Sequence, residues 1–459
     1  MTQTTVDVTS PPEEFDLDIE TLIIGAGACG LVAALAALEN GQQVLVVEAD
    51  TTPSGSTALS AGLIPAAGTD FQRDAGIEDD PNLFATDIQS KAKGENDQAL
   101  VDVLTKTSST VIEWLAEKHK LPFLVVTDFD YPGHSRRRMH GLPSRAGSEL
   151  IDALRNTCET HQIDIVCERR ATRLFVENEN IVGVSVLLPD GSKETIGCRK
   201  LILACNGFGG NRPLVEQYMP EIKDGLWFGH NSNQGEALYW GEALGAKLAS
   251  LGAYQGHGNV AHPHGILITW AVITEGGIQV SRDGNRFWDE SQGYSEAAQA
   301  VLAQPDGEAY TIFDSRIARI ARQFEDFKQA EAVGAIQTGE TIEELAEKLG
   351  LPADRLRTEV ASISTQHTDQ FGRSFGNKTL APPYCGVRVT GALFHTQGGL
   401  CVNENAQVLR TDGTTINNLF AGGGAACGVS GKGDSGYLSG NGLLSAVVLG
   451  WIAGKAAVA

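Results

Sequence analysis

The chain has no C-x-x-C pair; its eight cysteines (Cys29, Cys158, Cys167, Cys198, Cys205, Cys385, Cys401 and Cys427) are scattered. That leaves no local scaffold for zinc or an iron–sulfur cluster and reads as reduced thiols. Basic charge is scarce: 35 Lys and Arg stand against 57 Asp and Glu, a formal net charge of −22. Such a balance argues against nucleic acid and anionic membrane surfaces as partners. No apolar run reaches the roughly 20 residues of a membrane span. The C-terminal apolar stretch is interrupted by Gly450, Gly454 and Lys455, which predicts a buried helix. Residues 1–16 lack the basic-then-apolar order of a signal peptide; polar, acidic and carrying Pro11-Pro12, they read as a disordered tail. The expectation is a cytoplasmic protein. No internal repeat or low-complexity tract stands out, and 42% apolar with 20% charged residues suits an ordinary globular fold.

What the chain has in quantity is glycine, 53 residues. Two glycine-rich loops run into apolar helices. One is Gly25-Ala-Gly27-Ala-Cys-Gly30; the other is Ser430-Gly-Lys-Gly-Asp-Ser-Gly-Tyr437-Leu-Ser439-Gly-Asn-Gly442. A helix start leaves backbone N–H groups unpaired and so suits anionic groups. Ile19–Ile24 reads as a strand, Leu31–Asn40 as a helix and Val44–Val47 as the next strand, ending at Glu48: a βαβ start. Asp97–Lys118 and Ser148–Glu159 carry helical spacing. Ile163–Val166, Thr172–Glu177, Ile181–Leu188 and Lys193–Cys198 alternate and suggest an antiparallel meander, followed by a buried strand at Leu201–Ala204. From about Leu251 the character changes, through His257, His262 and His264 to a charged helical stretch from Arg316 to about Gln366. Near Ala392 the glycine-rich loops return, and Asn418–Ala421 reads as a last strand.

A bare G-x-G-x-x-G is weak, but here the strand before, the helix after and Glu48 are all present. Gly25 suits the tight turn, Gly27 a close approach of pyrophosphate, and Gly30 close helix–strand packing; Glu48 suits the ribose hydroxyls. The N-terminal position of the motif favours FAD over NAD. So do the Ser54-Gly-Ser-Thr-Ala-Leu-Ser-Ala-Gly62 segment and the Asn206-Gly-Phe-Gly-Gly210 turn.

Together Ile23–Gly62, Tyr131–Leu154, Leu201–Gly210, Gly276–Glu290, Phe394–Gly399 and Leu419–Gly442 resemble the fumarate reductase/succinate dehydrogenase flavoprotein superfamily, which includes the FAD-dependent 3-ketosteroid dehydrogenases. The resemblance implies an α/β fold. A discontinuous Rossmann-like FAD-binding domain (17–250 and 392–459) would carry an inserted α+β capping domain (251–391). It implies that Gly25, Gly27, Gly30 and Glu48 hold the ADP half of FAD, and that Thr57 and Gly62 lie by the pyrophosphate and flavin. Ala171 would meet the adenine, while Leu443, Leu444 and Ser445 face the flavin pyrimidine. Ala28, Gly207, Gly423 and Gly442 complete the cofactor-binding set. No metal is implied. Members with covalent flavin place a His before the threonine of the S-T-A-L-S-A-G segment; Ser56 stands there, which implies non-covalent FAD. Ala421-Gly-Gly-Gly424 departs from the family's Ala-Ala-Gly-Glu.

Two further departures concern substrate. Fumarate reductases carry an Arg shortly after R-F-x-N-E and another in R-L-G-G-N-A-L. The corresponding positions here are Tyr294 and Tyr437. Arg clamps a carboxylate bidentately and a phenol does not. The pattern is similar to that of the ketosteroid dehydrogenases, and Tyr437-x-Ser439 to the branch that introduces the 4,5-double bond. The implied reaction is α,β-desaturation of a cyclic ketone, a 3-oxosteroid or a smaller oxo-acid such as 4-oxocyclohexanecarboxylate. Tyr437, helped by Ser439 or a backbone N–H, holds the ketone oxygen; Tyr294 takes an α-proton; hydride passes to flavin N5. Tyr131 is a candidate second phenol. His395 matches a family histidine that binds a substrate carboxylate, or is a polar loop residue beside the flavin. His257, His262 and His264 lack carboxylate companions at metal-site spacing, and Arg136-Arg-Arg138 reads as a solvated charge run. The electron acceptor stays open between oxygen, a quinone and a dye. A dicarboxylate or enoate reductase and a non-catalytic flavin-binding module are the alternatives.

Overall fold

The structure, a computed structural model, describes residues 7–363 and 368–458. A short strand, Asp7–Thr9 (β1), precedes Leu17–Ile24 (β2), the helix Ala28–Glu39 (α1) and Val44–Val47 (β3). The apolar residues of β2 and β3 pair in parallel, from Thr21 opposite Val44 to Ile24 opposite Val47. Asp164–Val166 (β4) continues the sheet beside β3. Arg170–Glu177 (β5), Asn180–Leu187 (β6) and Lys193–Leu203 (β7) form an antiparallel meander that returns to β2, giving the order β1-β5-β6-β7-β2-β3-β4.

Three sequence readings need correction. The segment at Ile163–Val166 pairs with β3 and is not part of the meander. Lys193–Cys198 and Leu201–Ala204 are parts of one strand, β7. Its first half pairs antiparallel with β6 and its second half parallel with β2. Strand alternation through Arg199-Lys200 sends Lys200 fully inside. The expected tail is also revised. Residues 1–6 lie outside the described residues, while β1 pairs with β5, Arg173 Nε donates to Asp7 Oδ1 at 2.6 Å, and Phe15 packs on Phe175 at 5.7 Å. These side chains give residues 7–16 a place on the sheet that their acidic, proline-containing composition conceals.

A second sheet is built on Tyr254–Ala261 (β8), Glu308–Asp314 (β9) and Tyr384–Thr396 (β10), with β10 between the other two and antiparallel to both. The helix Tyr294–Leu302 (α2) lies on it. The charged stretch after Arg316 resolves into four short helices, Ser315–Ala321, Glu325–Ala332, Ile342–Leu349 and Ala353–Ile363, with the strand Ile336–Gly339 interposed. The chain then returns to the first sheet with Thr415–Ala421 (β11), parallel to β7, and ends in the apolar helix Asn441–Lys455 (α3) beside α1. Among the described residues no helix is long and apolar enough to cross a membrane. Each sheet has its own apolar core, and Tyr294 and Tyr437 both belong to the core of the second.

Candidate active site

Tyr294 is the first residue of α2, and the strand beneath it fixes where it stands. A Cβ on Gly256 would lie 2.8 Å from the Ala298 side chain, and one on Gly258 2.4 Å from Ala297. Only glycines let α2 lie this close to β8. Between them His257 faces the other way. It stacks on Tyr294 at 4.9 Å and 19°, and on Phe394 at 5.1 Å and 19°; Phe394 stacks on Phe228 at 4.6 Å. His257 Nδ1 accepts from the Asn259 N–H at 3.2 Å, so Nε2 carries the ring proton. Burial takes His257 down to about 3.

Tyr437 enters from the loop before α3. Its ring is 6.1 Å from that of Tyr294 and 5.8 Å from that of His395. Burial raises its phenol to about 12, and hydrogen bonds from the Gly442 and Gly440 backbone at the start of α3 oppose the rise. Gly440 takes a left-handed conformation with φ 84°, and no side chain caps the helix. Burial pushes Tyr294 well above 10 and the neighbouring Tyr437 adds to this, while a hydrogen bond with Ser439 opposes it. Both phenols are therefore neutral at rest. The Ser439 carbonyl accepts from His134 Nε2 at 2.9 Å, which ties the Tyr437 loop to the segment that carries His134. His395 Nδ1 lies 2.9 Å from Gln397 Nε2 and 3.0 Å from the Thr396 carbonyl, and burial lowers its pKa.

One cavity joins these residues to the nucleotide loop. Its wall includes Gly25, Gly27, Ala28, Glu48, Thr57 and Ala171, then Gly423, Gly442, Leu443 and Ser445, then His395, Ser439, Tyr294 and Tyr437. Tyr131, His257 and Trp270 line it too. The sequence reading gave these three no firm role, although the Gly-His-Gly alternation at 256–258 marked a strand in close contact with a helix. Four expected contacts are absent from the wall. Leu444 is fully buried in the first core and its N–H donates to the Gly440 carbonyl at 2.9 Å, because α3 turns that face inward. Gly30, Gly62 and Gly207 lie against Gly25, Ala146 and Thr396, where they shape the backbone.

The donor set fits FAD. The face of Gly27 is open, with Thr57 Oγ1 the nearest atom to an added Cβ at 3.6 Å. The Ala28 N–H donates to Thr57 Oγ1 at 3.0 Å, and Glu48 accepts from Ala26 at 2.7 Å and Asp50 at 3.0 Å. Among the described residues, Asn441 Oδ1 and Thr396 Oγ1 are buried without hydrogen-bond partners. Residues 20–443 match the family described as FAD binding domain. The chain belongs to that family.

This FAD-binding oxidoreductase is 30% identical over 445 residues to the probable fumarate reductase Ifc3 of Shewanella frigidimarina, covering 95% of this chain and 74% of that protein. Its structure is similar to the open conformation of a flavocytochrome c3 fumarate reductase, with a TM-score of 0.80 and 29% identity over 96% of this chain and 78% of that one. It shares its fold with the 3-ketosteroid-Δ4-(5α)-dehydrogenase of Rhodococcus jostii RHA1 in complex with 4-androstene-3,17-dione. There the TM-score is 0.75 at 23% identity, covering 96% of this chain and 97% of that one. The chain is thus an FAD-dependent oxidoreductase of the fumarate reductase superfamily, whose members act on CH–CH groups.

One charged segment was misread. Arg138 of the expected solvated run is fully buried, with Nε 2.9 Å from Asp79 Oδ2 and Nη1 2.5 Å from Asp87 Oδ2. Its partners lie some fifty residues away in sequence, so no local pattern announces them.

Proposed function

We propose that this oxidoreductase desaturates a cyclic ketone between its α and β carbons. The observation that carries the reading is the convergence of Tyr294 and Tyr437, ring centroids 6.1 Å apart, at the positions where the resemblance puts a proton-donating and a substrate-clamping arginine. The Tyr437 O–H donates to the ketone oxygen and holds the negative charge that develops on it. The α3 start supplies backbone N–H groups in the same place, and such preorganised donors in a dry site stabilise an oxyanion strongly. Tyr294, as phenolate, takes the α-proton, and Ser439 stabilises that phenolate by hydrogen bonding. When bound, FAD would supply a hydride acceptor, the chemistry by which loss of an α-proton and a β-hydride leaves a C=C bond. The lobe from 251 to 391 acts as a cap that carries Tyr294 to the cofactor-binding lobe. FAD is held non-covalently, because Ser56 replaces the linking His and its Oγ accepts from Asn206 at 2.8 Å and Asn233 at 3.0 Å.

Similarity to a fumarate reductase favours a second reading, reduction of a dicarboxylate. Both tyrosines count against it, since neither offers a carboxylate the paired N–H donors of a guanidinium. The test is incubation of the holoenzyme with a ring ketone and a reducible dye, followed by mass spectrometry. The proposal expects a product lighter by two hydrogens. An unchanged ketone, with fumarate turned over by the dye-reduced enzyme, would support the second reading.

A further inference from the structure

The charge on the substrate side of the cavity is one-sided. Apart from Glu48 and the charged group around it (Asp50, Arg169, Arg170 and Glu236), the charged side chains on the wall among the described residues are Arg145, Glu325 and Asp326. Arg145 donates to Asp128 Oδ2 at 2.9 Å and Gln323 Oε1 at 3.0 Å, so its charge is already matched by a carboxylate. Glu325 is paired with Lys328 at 3.0 Å. Asp326 is half-buried, and among the described residues it has no ion pair or side-chain hydrogen bond. Burial and the neighbouring Glu325 carboxylate both push its pKa up, and no cation offsets them. The histidines on this wall supply no charge either, since burial keeps His257 and His395 neutral.

Tyr131 and Phe324 are aromatic members of the cavity wall that also carries Asp326 and the two phenols, and Phe129 packs between them from behind that wall. Tyr131 packs on Phe129 at 4.9 Å, Phe129 packs on Phe324 at 5.5 Å, and Phe324 opens into the helix that bears Asp326. A ring system lying along this wall, carbonyl on Tyr437, turns its remote end toward that carboxyl. A carboxylate there would set two like charges together, whereas a hydroxyl would give Asp326 a hydrogen-bond donor.

We infer that Asp326 is a specificity-determining residue that selects ring ketones whose remote end carries a hydroxyl and rejects those ending in a carboxylate. The inference rests on the ring-ketone reading of the site and narrows it: a hydroxylated 3-oxosteroid type is favoured over 4-oxocyclohexanecarboxylate.

The test is equilibrium dialysis of the anaerobic holoenzyme with two matched pairs. These are a 17β-hydroxy-3-oxosteroid against its 17β-carboxylate analogue, and 4-(hydroxymethyl)cyclohexanone against 4-oxocyclohexanecarboxylate. In at least one pair the hydroxyl compound is expected to bind at least about tenfold more tightly. Asp326→Asn should narrow that ratio, and Asp326→Lys should reverse it. Equal or tighter binding of the carboxylates by the wild type overturns the inference, as does a ratio that neither variant moves. Dialysis reads binding alone, so failure of the ketones to be desaturated would sink the proposed reaction while leaving the charge selection measurable. Binding of none of the four would overturn both.

Discussion

Tyr294 and Tyr437 meet at 6.1 Å between ring centroids, with their planes at 61°, although 142 positions separate them in the chain. One arrives on α2, laid close on β8 by Gly256 and Gly258; the other arrives on the loop that caps α3. The proposed chemistry depends on this meeting of the two phenols, because neither alone can both hold a ketone oxygen and take its α-proton.

Removing the Tyr437 hydroxyl leaves the ketone oxygen without its side-chain donor while the ring still fills its place in the second core. Tyr437→Phe is expected to lower turnover of a ring ketone by about 10²–10³-fold, the range seen when one oxyanion donor is lost. Its FAD-to-protein ratio should match the wild type. Turnover at the wild-type rate would remove Tyr437 from the mechanism.

Activity should rise with pH. The proposed base is the phenolate of Tyr294, and burial and Tyr437 hold its pKa well above 10. At neutral pH only a small fraction is ionised, so kcat/KM should climb through pH 9 and 10 without levelling, as for any base used below its pKa. A flat profile over that range would contradict the assignment of Tyr294.

The FAD should be released by denaturation. Ser56 stands at the position of the linking histidine and accepts two amide hydrogen bonds. Acid precipitation should leave the flavin in the supernatant, with the protein pellet colourless. Flavin retained in the pellet would contradict a non-covalent site.

Buried Lys200 gives a separate test of the fold. Its ammonium donates to the Ala456 carbonyl at 2.6 Å and the Gly454 carbonyl at 3.1 Å, at the end of α3, and among the described residues it has no carboxylate partner. Burial lowers its pKa from 10.5 to about 8. Between these values the unfolded chain binds more protons than the folded one, so stability rises with pH; below about pH 8 the buried charge costs about 3 kcal/mol. Lys200→Met should flatten thermal stability across that window. It should not weaken the fold at pH 7, because Gln42 Nε2 also donates to both carbonyls, at 3.3 and 2.9 Å. A variant with the same pH slope as the wild type would refute the shift.

The parts legible in the sequence were those whose partners are close in the chain. The loop from Gly25 to Gly30, β3 ending at Glu48, and the start of α3 each carry their own signal of strand, turn and helix. The two tyrosines were legible only by comparison with the superfamily's arginine positions. The Tyr294–His257–Phe394 stack was not legible, because it joins α2, β8 and β10 through ring faces that leave no periodic trace. Arg138 and Lys200 were missed for a related reason: a charge reads as solvated until its distant partners are known. Leu444 was misassigned because one residue along a helix rotates a side chain by about 100°, enough to exchange cavity for core.

The most direct measurement is anaerobic mixing of the oxidised holoenzyme with a 3-oxosteroid, with 4-oxocyclohexanecarboxylate and with succinate, following the visible absorbance of the flavin. The account predicts bleaching by a ring ketone and none by succinate. Bleaching by succinate alone would contradict it in favour of dicarboxylate chemistry, and bleaching by none of the three would contradict it in favour of a flavin-binding module without this activity.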